Sequence, residues 1–131
     1  MNEVNFPTTT IKGKRIRTDN QHVEEIVSLW MEVPQMNLIG ELYAVYYNYE
    51  SDHRGKYDLL IGSKTSQLAD SVELLKGNYL VINVAKGTPE LIGKTWQTIW
   101  SDQDIYQKRA FTTDFECYLE NGSAKIYLAI K

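Results

Sequence analysis

A glutamate in the middle of a predicted strand is the first candidate for chemistry. Side chains of a strand alternate between two faces, so in DFECYLE (114–120) Glu116 shares a face with Asp114 and Tyr118, opposite Phe115. A buried carboxylate ~4 Å from a cation contributes on the order of 4 kcal/mol at an effective dielectric of ~20, before desolvation is subtracted. Glutamate is seldom buried unless it is paired, so the residue pattern alone favours an exposed carboxylate.

Aromatic side chains are the second candidate, because nine tyrosines and three tryptophans exceed what a small core requires. Trp96 and Trp100 lie four residues apart and therefore share one helix face, which is consistent with core packing and with a pocket lining. Trp30 holds the related place in an earlier helix, where core packing is favoured. The segment ELYAVYYNYE (41–50) presents tyrosines to both faces of a strand, and at least two are expected to be half-exposed.

Other polar residues indicate no reactive site. The basic residues of segment 12–17 favour an exposed sheet edge, which charge protects from pairing with other chains, over a nucleic-acid surface. His22 and His53 are expected to be solvated, and with the single cysteine, Cys117, they show no metal-ligand spacing. We therefore predict no metal, no cofactor and no catalytic residue.

Composition limits the class of protein. A chain of 131 residues with 43% hydrophobic residues suits a single domain, residues 1–131. The net charge of −3 argues against nucleic-acid binding. No apolar run approaches the roughly 18–20 residues of a membrane span, and no signal pattern appears, so we expect a soluble, cytoplasmic protein without a membrane partner.

The first half of the chain contains a strand, a helix and a hairpin. Residues 8–18 are typical of a strand, and Asp19-Asn20 is expected to cap a helix that ends before Pro34. The segments 41–50 and 57–65 are then predicted to pair as a hairpin across the turn SDHRGK.

The second half repeats this order after a polar stretch. Residues 78–87 predict a strand, and Thr88 with Pro89 predicts the start of the helix that carries the two tryptophans. The segments 114–120 and 124–131 form the last hairpin, and Asn121-Gly122 predicts a type I′ turn between them.

The repetition predicts an α+β fold. Two strand–helix–hairpin units, about 1–66 and 76–131, are expected to form an antiparallel sheet with pseudo-two-fold symmetry. Neither half alone buries both of its faces, so the halves are expected to pack side by side. A central ligand cleft is then expected between them.

A family resemblance raises the importance of Glu116. The succession VYYNYES, YDLLIG, WQTIW and DFECYLE resembles the effector-binding domain of AraC-type regulators, also called the GyrI-like domain, over essentially the whole chain. Its most specific element is the Asp-Phe-Glu-x-Tyr run, here Asp114–Tyr118. The resemblance implies that Glu116 is a buried carboxylate facing cationic drugs. The ligand-binding residues expected with it are Tyr118, Trp96, Trp100, Tyr46 and Tyr47.

The resemblance also bears on function. No helix-turn-helix segment accompanies the domain, so the chain is similar to stand-alone members, including mobile-cassette proteins that bind cationic antimicrobial compounds. We expect it to bind a bulky, lipophilic cation as a sequestering protein or as a sensor, with a protein partner or a homodimer as further possibilities. Two alternatives stay open: hydrolysis of cyclopropane-type compounds with Glu116 as acid or base, and inhibition of a topoisomerase.

Overall fold

The protein is described by a computed structural model that covers residues 2–131, with the side chain of Asn2 excepted. The described residues form eight strands and three α-helices. The strands are β1 (Asn2–Phe6), β2 (Thr9–Thr18), β3 (Leu42–Tyr47), β4 (Tyr57–Ser63), β5 (Asp70–Leu74), β6 (Gly77–Val84), β7 (Thr113–Tyr118) and β8 (Ala124–Ala129). The helices are α1 (Val23–Glu32), α2 (Pro89–Ser101) and α3 (Gln103–Lys108), and a 3-10 turn, Val33–Met36, follows α1.

All eight strands form one sheet in the order β1-β6-β8-β7-β3-β4-β2-β5, and every neighbouring pair is antiparallel. If β1, β2, β3 and β4 exchange labels with β5, β6, β7 and β8 respectively, the order read in reverse is unchanged. This is the strand order that a two-fold axis through the sheet requires. The first strand of each half pairs with a strand of the other half, since β1 pairs with β6 and β5 pairs with β2. The predicted antiparallel α+β fold with pseudo-two-fold order is confirmed.

Two strands were not anticipated. The strand β1 precedes the predicted first strand, and β5 lies in the polar stretch between the two expected repeats. In β5 only Val72 and Leu74 are buried, because the intervening Ser71 and Glu73 face outward. This short alternation is easily hidden by polar flanks. The organisation as one domain built of two repeats stays a prediction.

The two sheet faces have different coverings. One face packs against α1 and α2, and the hydrophobic clusters under the two helices share Tyr46 and Tyr118. The other face curls over an aromatic cluster, in which Phe115 stacks on Tyr127 with ring centroids 4.5 Å apart. The sheet is thus a half-barrel with both helices on one face and the aromatic cluster on the other.

The helix predictions hold with one correction. Thr88 accepts a hydrogen bond from the Leu91 amide and Pro89 is the first residue of α2, as predicted. The first helix begins instead after His22, because the Asp19 carboxylate binds the His22 ring and the Gln21 amide. The helix α3 was not predicted. No helix of the described residues is long and apolar enough to cross a membrane.

The last hairpin is present, but its predicted type I′ turn is wrong. Gly122 has a φ of 90°, whereas Asn121 does not adopt a positive φ. Leu119 and Ser123 close a three-residue loop by a backbone hydrogen bond, and the Asn121 side chain accepts from the Ser123 amide. A type I turn followed by a left-handed glycine fits this geometry.

The edge interpretation of the basic strand is wrong for its first part. The strand β2 pairs with β4 on one side, and β5 covers Thr9–Gly13 on the other. Beyond that point Asp70 accepts a hydrogen bond from the Arg15 amide, and Arg17 forms an ion pair with Asp58. The basic residues therefore belong to an interior strand of the sheet, and they do not protect an open edge along Thr9–Gly13.

Candidate functional site

The Glu116 carboxylate lies at the centre of the helical face of the sheet. It belongs to β7, where it is opposite Ala44 of β3 and Ile126 of β8, and only 1% of the residue is exposed. Oε2 accepts hydrogen bonds from the Tyr46 hydroxyl at 2.8 Å and from Trp96 Nε1 at 2.6 Å. Oε1 accepts one from the Tyr118 hydroxyl at 2.5 Å.

These three donors converge from different elements. Tyr118 follows Glu116 by two residues and so points to the same face of β7. Tyr46 comes from the neighbouring strand β3, where the register places it beside Asp114. Trp96 belongs to the buried stripe of α2 that packs against this face.

The donors to Glu116 are all neutral. Burial raises the pKa of Glu116, and the hydrogen bonds from Tyr118, Trp96 and Tyr46 act in the opposite direction because they favour the ionised form. The ion pairs found among residues 2–131 do not include Glu116. A cation placed near this carboxyl group would therefore meet no competing cationic side chain from the described residues.

A second buried carboxylate, Asp114, lies on the same face and is already neutralised. Its Oδ2 forms an ion pair with Arg109 at 2.6 Å and accepts a hydrogen bond from Tyr49, also at 2.6 Å. Its Oδ1 accepts from the Ala129 amide at 2.9 Å. Glu116 and Asp114 are similarly buried, so the difference between them is the partner: only Asp114 has an internal cation.

An aromatic cavity lies beside the Glu116 group, and we call it the inner cavity. Its volume is about 60 Å³, room for a few water molecules. Its lining includes Tyr46, Tyr49, His53, Trp96, Trp100 and Arg109. Glu116 is not part of that lining, whereas its donors Tyr46 and Trp96 are. The expected cleft is thus present as a small cavity that residues of both halves line.

Five of the six predicted site residues lie together. Glu116, Tyr118, Tyr46 and Trp96 form the hydrogen-bonded group, and Trp100 stacks on Trp96 with centroids 6.2 Å apart. The Trp30 ring meets Tyr118 edge to face at 5.3 Å.

The sixth predicted residue, Tyr47, is not brought into this group. Successive strand residues point to opposite faces, so Tyr47 lies in the aromatic cluster of the other face and is 8% exposed. The prediction placed Tyr46 and Tyr47 in one pocket, which a regular strand does not allow.

Sequence reasoning missed six residues of the cavity lining, namely Asn20, Ile26, Tyr49, His53, Tyr57 and Arg109. Tyr49 and Arg109 line the cavity and bind Asp114. The sequence signal that could have identified them was the position of Asp114 on the same strand face as Glu116. His53 was expected to be solvated, but its ring is half-buried and stacks on Trp100 at 5.7 Å. No local pattern in the turn indicates this contact, because it depends on how the turn meets α2.

The fold and the site define a class of protein, the GyrI-like small-molecule-binding domains. The chain belongs to the Cass2 family, described as integron-associated effector binding protein, which it matches over residues 4–130. The predicted family is thereby confirmed. No curated protein matches the chain significantly.

Solved structures agree with this assignment. An integron cassette protein from the mobile metagenome of Vibrio cholerae superposes with a TM-score of 0.84 at 27% identity, covering 99% of this chain and 95% of that one. SAV2435, solved with tetraphenylphosphonium bound, gives 0.77 at 16% identity, with 99% and 93% coverage. A putative transcription regulation protein from Staphylococcus aureus gives 0.75 at 15% identity, with 99% and 97% coverage. The last two share the fold.

Proposed function

We propose that this protein binds bulky, amphipathic organic cations in the inner cavity, with Glu116 as the counter-charge, and that it acts as a sequestering protein or as a sensor. The observation that carries the proposal is a fully buried carboxylate with three neutral hydrogen-bond donors and, within the described part of the chain, no ion-pair partner. A ligand cation supplies the missing partner.

The surrounding rings suit such a ligand. A cation against the face of a tryptophan or tyrosine gains ~0.5–2 kcal/mol by cation–π attraction, and several rings act together. Tyr46, Trp96 and Trp100 provide them in the inner cavity. Because stacking requires little directional precision, a wall of rings accepts cations of different shapes. This favours broad specificity for lipophilic cations.

The comparisons support the proposal in a coarser form. The family is named for effector binding, and a structure with the same fold was solved with tetraphenylphosphonium, a bulky aromatic cation. That protein shares only 16% identity with this chain. The assignment of Glu116 to the ligand therefore depends on the geometry of this site and on the experiment below.

Binding of a bulky cation requires the inner cavity to enlarge. Sites for drug-sized ligands span about 300–1,000 Å³, well above the inner cavity. The donors of Glu116 that line the cavity, Tyr46 and Trp96, are the side chains whose movement both enlarges it and exposes the carboxylate. The three hydrogen bonds favour the ionised form of Glu116 and so oppose the effect of burial on its pKa while the site is empty.

Calorimetric titration tests the proposal with ions of one shape and opposite charge. Wild type is expected to bind tetraphenylphosphonium and to exclude tetraphenylborate, and the cation is recovered unchanged. Glu116→Gln keeps the size of the side chain, so cation affinity falls by about 1.5–3 kcal/mol, the range of charge-assisted contacts. Neutral triphenylphosphine oxide loses much less.

The matched control is Glu120→Gln, which removes the same charge from an exposed position four residues along the chain. It leaves tetraphenylphosphonium affinity near the wild-type value. Equal losses for the cation and the neutral compound in Glu116→Gln, or no loss for either, would exclude Glu116 as the counter-charge.

A further inference from the structure

A second cavity, which we call the outer cavity, adjoins the inner one. Its volume is about 220 Å³, and it is lined by His53, Arg54, Trp100, Gln103 and Tyr106. Two of these residues, His53 and Trp100, also line the inner cavity. These two side chains are therefore the part of the lining that the two cavities share.

The two shared side chains form a stacked pair from separate elements. His53 lies in the turn between β3 and β4, Trp100 lies in the last turn of α2, and their rings are 5.7 Å apart at an angle of 11°. The buried Nδ1 of His53 has no hydrogen-bond partner among the described residues 2–131. Separating the His53 ring from the Trp100 ring therefore breaks an aromatic contact but no hydrogen bond of Nδ1.

The outer cavity is polar but nearly neutral. Arg54 forms an ion pair with Asp52 at 2.5 Å, and the Tyr106 hydroxyl donates to the same carboxylate at 2.8 Å. Burial lowers the pKa of His53, so its imidazole is neutral at pH 7 and does not repel a cation. Gln103 also lines the outer cavity, and its exposed side-chain amide is available to donate a hydrogen bond to a ligand.

We propose that the two cavities are parts of one ligand site, divided in the unliganded protein by the His53–Trp100 pair, and that the outer part receives an uncharged arm of the cation that carries a hydrogen-bond acceptor. This inference rests on the proposed function, since it extends the same site. Joined, the two cavities reach the lower end of the usual range for ligand pockets, roughly 300 Å³.

Two cations of equal length provide the test. Butyltriphenylphosphonium has a hydrocarbon arm, and (2-methoxyethyl)triphenylphosphonium has an ether oxygen in an arm with the same number of heavy atoms. Wild type is expected to bind the ether cation roughly three- to tenfold more tightly, the value of one hydrogen bond. Isothermal titration calorimetry measures both affinities.

Two glutamines of α3 give a matched pair of variants. Gln103→Ala removes the amide at the outer cavity and is expected to abolish the preference for the ether cation, because affinity for the ether cation falls about three- to tenfold more than affinity for the butyl cation. Gln107→Ala changes the same residue type four positions later, on an exposed part of α3 that does not line the cavity. It is expected to keep the wild-type preference.

The dividing pair is tested through association kinetics. His53→Ala removes one ring of the stack, so both cations are expected to associate about two- to tenfold faster, equivalent to the loss of one aromatic pair. Stopped-flow tryptophan fluorescence measures these rates, and unchanged rates contradict the dividing role of the pair.

The outcomes separate this inference from the proposed function. If wild type binds both cations equally, or if Gln103→Ala and Gln107→Ala act alike, the outer part of the site is excluded while cation binding stands. If wild type binds neither cation, or if Glu116→Gln binds both as tightly as wild type, the proposed function fails and the inference fails with it.

Discussion

The Tyr118 hydroxyl donates a 2.5 Å hydrogen bond to Oε1 of Glu116, two residues before it on the same face of β7. Burial raises the pKa of Glu116, and this hydrogen bond limits the rise because it stabilises the ionised form. The charge that the carboxylate offers a ligand at a given pH therefore depends on a neighbouring hydroxyl that does not line the cavity.

Removing this hydroxyl is expected to shift the pH dependence of cation binding. Protonation removes the charge of Glu116, so affinity for tetraphenylphosphonium falls as the pH falls through the pKa of that carboxyl. In Tyr118→Phe the loss of one donor raises the pKa of Glu116 further, and the decline begins about one pH unit higher. Titration calorimetry at several pH values measures the shift.

The control for this prediction is Tyr127→Phe, because Tyr127 stacks on Phe115 on the opposite face of the sheet. It is expected to leave the pH dependence unchanged. If Tyr118→Phe and Tyr127→Phe follow the wild-type curve equally, Tyr118 does not control the charge of Glu116.

Glu116 is also expected to make the empty protein less stable as the pH rises. Its pKa is raised in the folded state, so between the unfolded and folded pKa values the native protein binds more protons than the unfolded chain. The free energy of unfolding therefore decreases as the pH rises through this window. Glu116→Gln lacks the titrating group, and its melting temperature is expected to depend less on pH, whereas a parallel pH dependence argues against a raised pKa.

The buried ion pair of Arg109 and Asp114 is expected to be essential for stability. Both side chains are almost fully buried, so Asp114→Asn leaves an uncompensated guanidinium group. The expected loss is about 3–5 kcal/mol in the free energy of unfolding. Urea denaturation measures it.

The exposed pair of Lys94 and Glu90 on α2 is the comparison. Lys94→Gln removes one partner where solvent screens the interaction, and a change of about 0.5 kcal/mol or less is expected. Similar losses for the buried and the exposed pair contradict this account.

Replacement by alanine at two glycine positions is expected to change the free energy of unfolding in opposite directions. Gly62 faces Gly13 across β4 and β2, and an added Cβ would lie 1.9 Å from the Lys12 carbonyl oxygen. Gly62→Ala is expected to cost about 3 kcal/mol or more. Gly93 lies inside α2 with open space around it, so Gly93→Ala is expected to stabilise the protein by about 1 kcal/mol. Thermal denaturation gives both signs, and a neutral Gly62→Ala refutes the close-approach argument.

The protein is expected to unfold as one cooperative unit, because the two halves exchange their first strands. Because β1 pairs with β6 and β5 pairs with β2, neither half keeps its sheet intact when the other unfolds. We expect a single transition by calorimetry, with equal calorimetric and van't Hoff enthalpies. Two separable transitions would indicate independent halves and contradict the single-domain prediction.

Much of the framework follows from the sequence because its signals are local. Thr88 and Pro89 determine where α2 begins, and strand alternation determines that Glu116 and Tyr118 share a face opposite Phe115. The repeated element order also sufficed to predict an antiparallel sheet with two-fold order. Each of these features depends on residues close together in the chain, whose spacing is set by helix and strand geometry.

Tertiary structure decided which of these local features form the site. Alternation separates Tyr46 from Tyr47, but only the pairing of β3 with β7 shows that Tyr46 reaches Glu116. The exchange of β1 and β5, the pairing of Arg109 with Asp114 and the stack of His53 on Trp100 likewise join segments from different elements. Such contacts arise where separate surfaces meet during packing, and the periodicity of one segment carries no information about the partner that covers it.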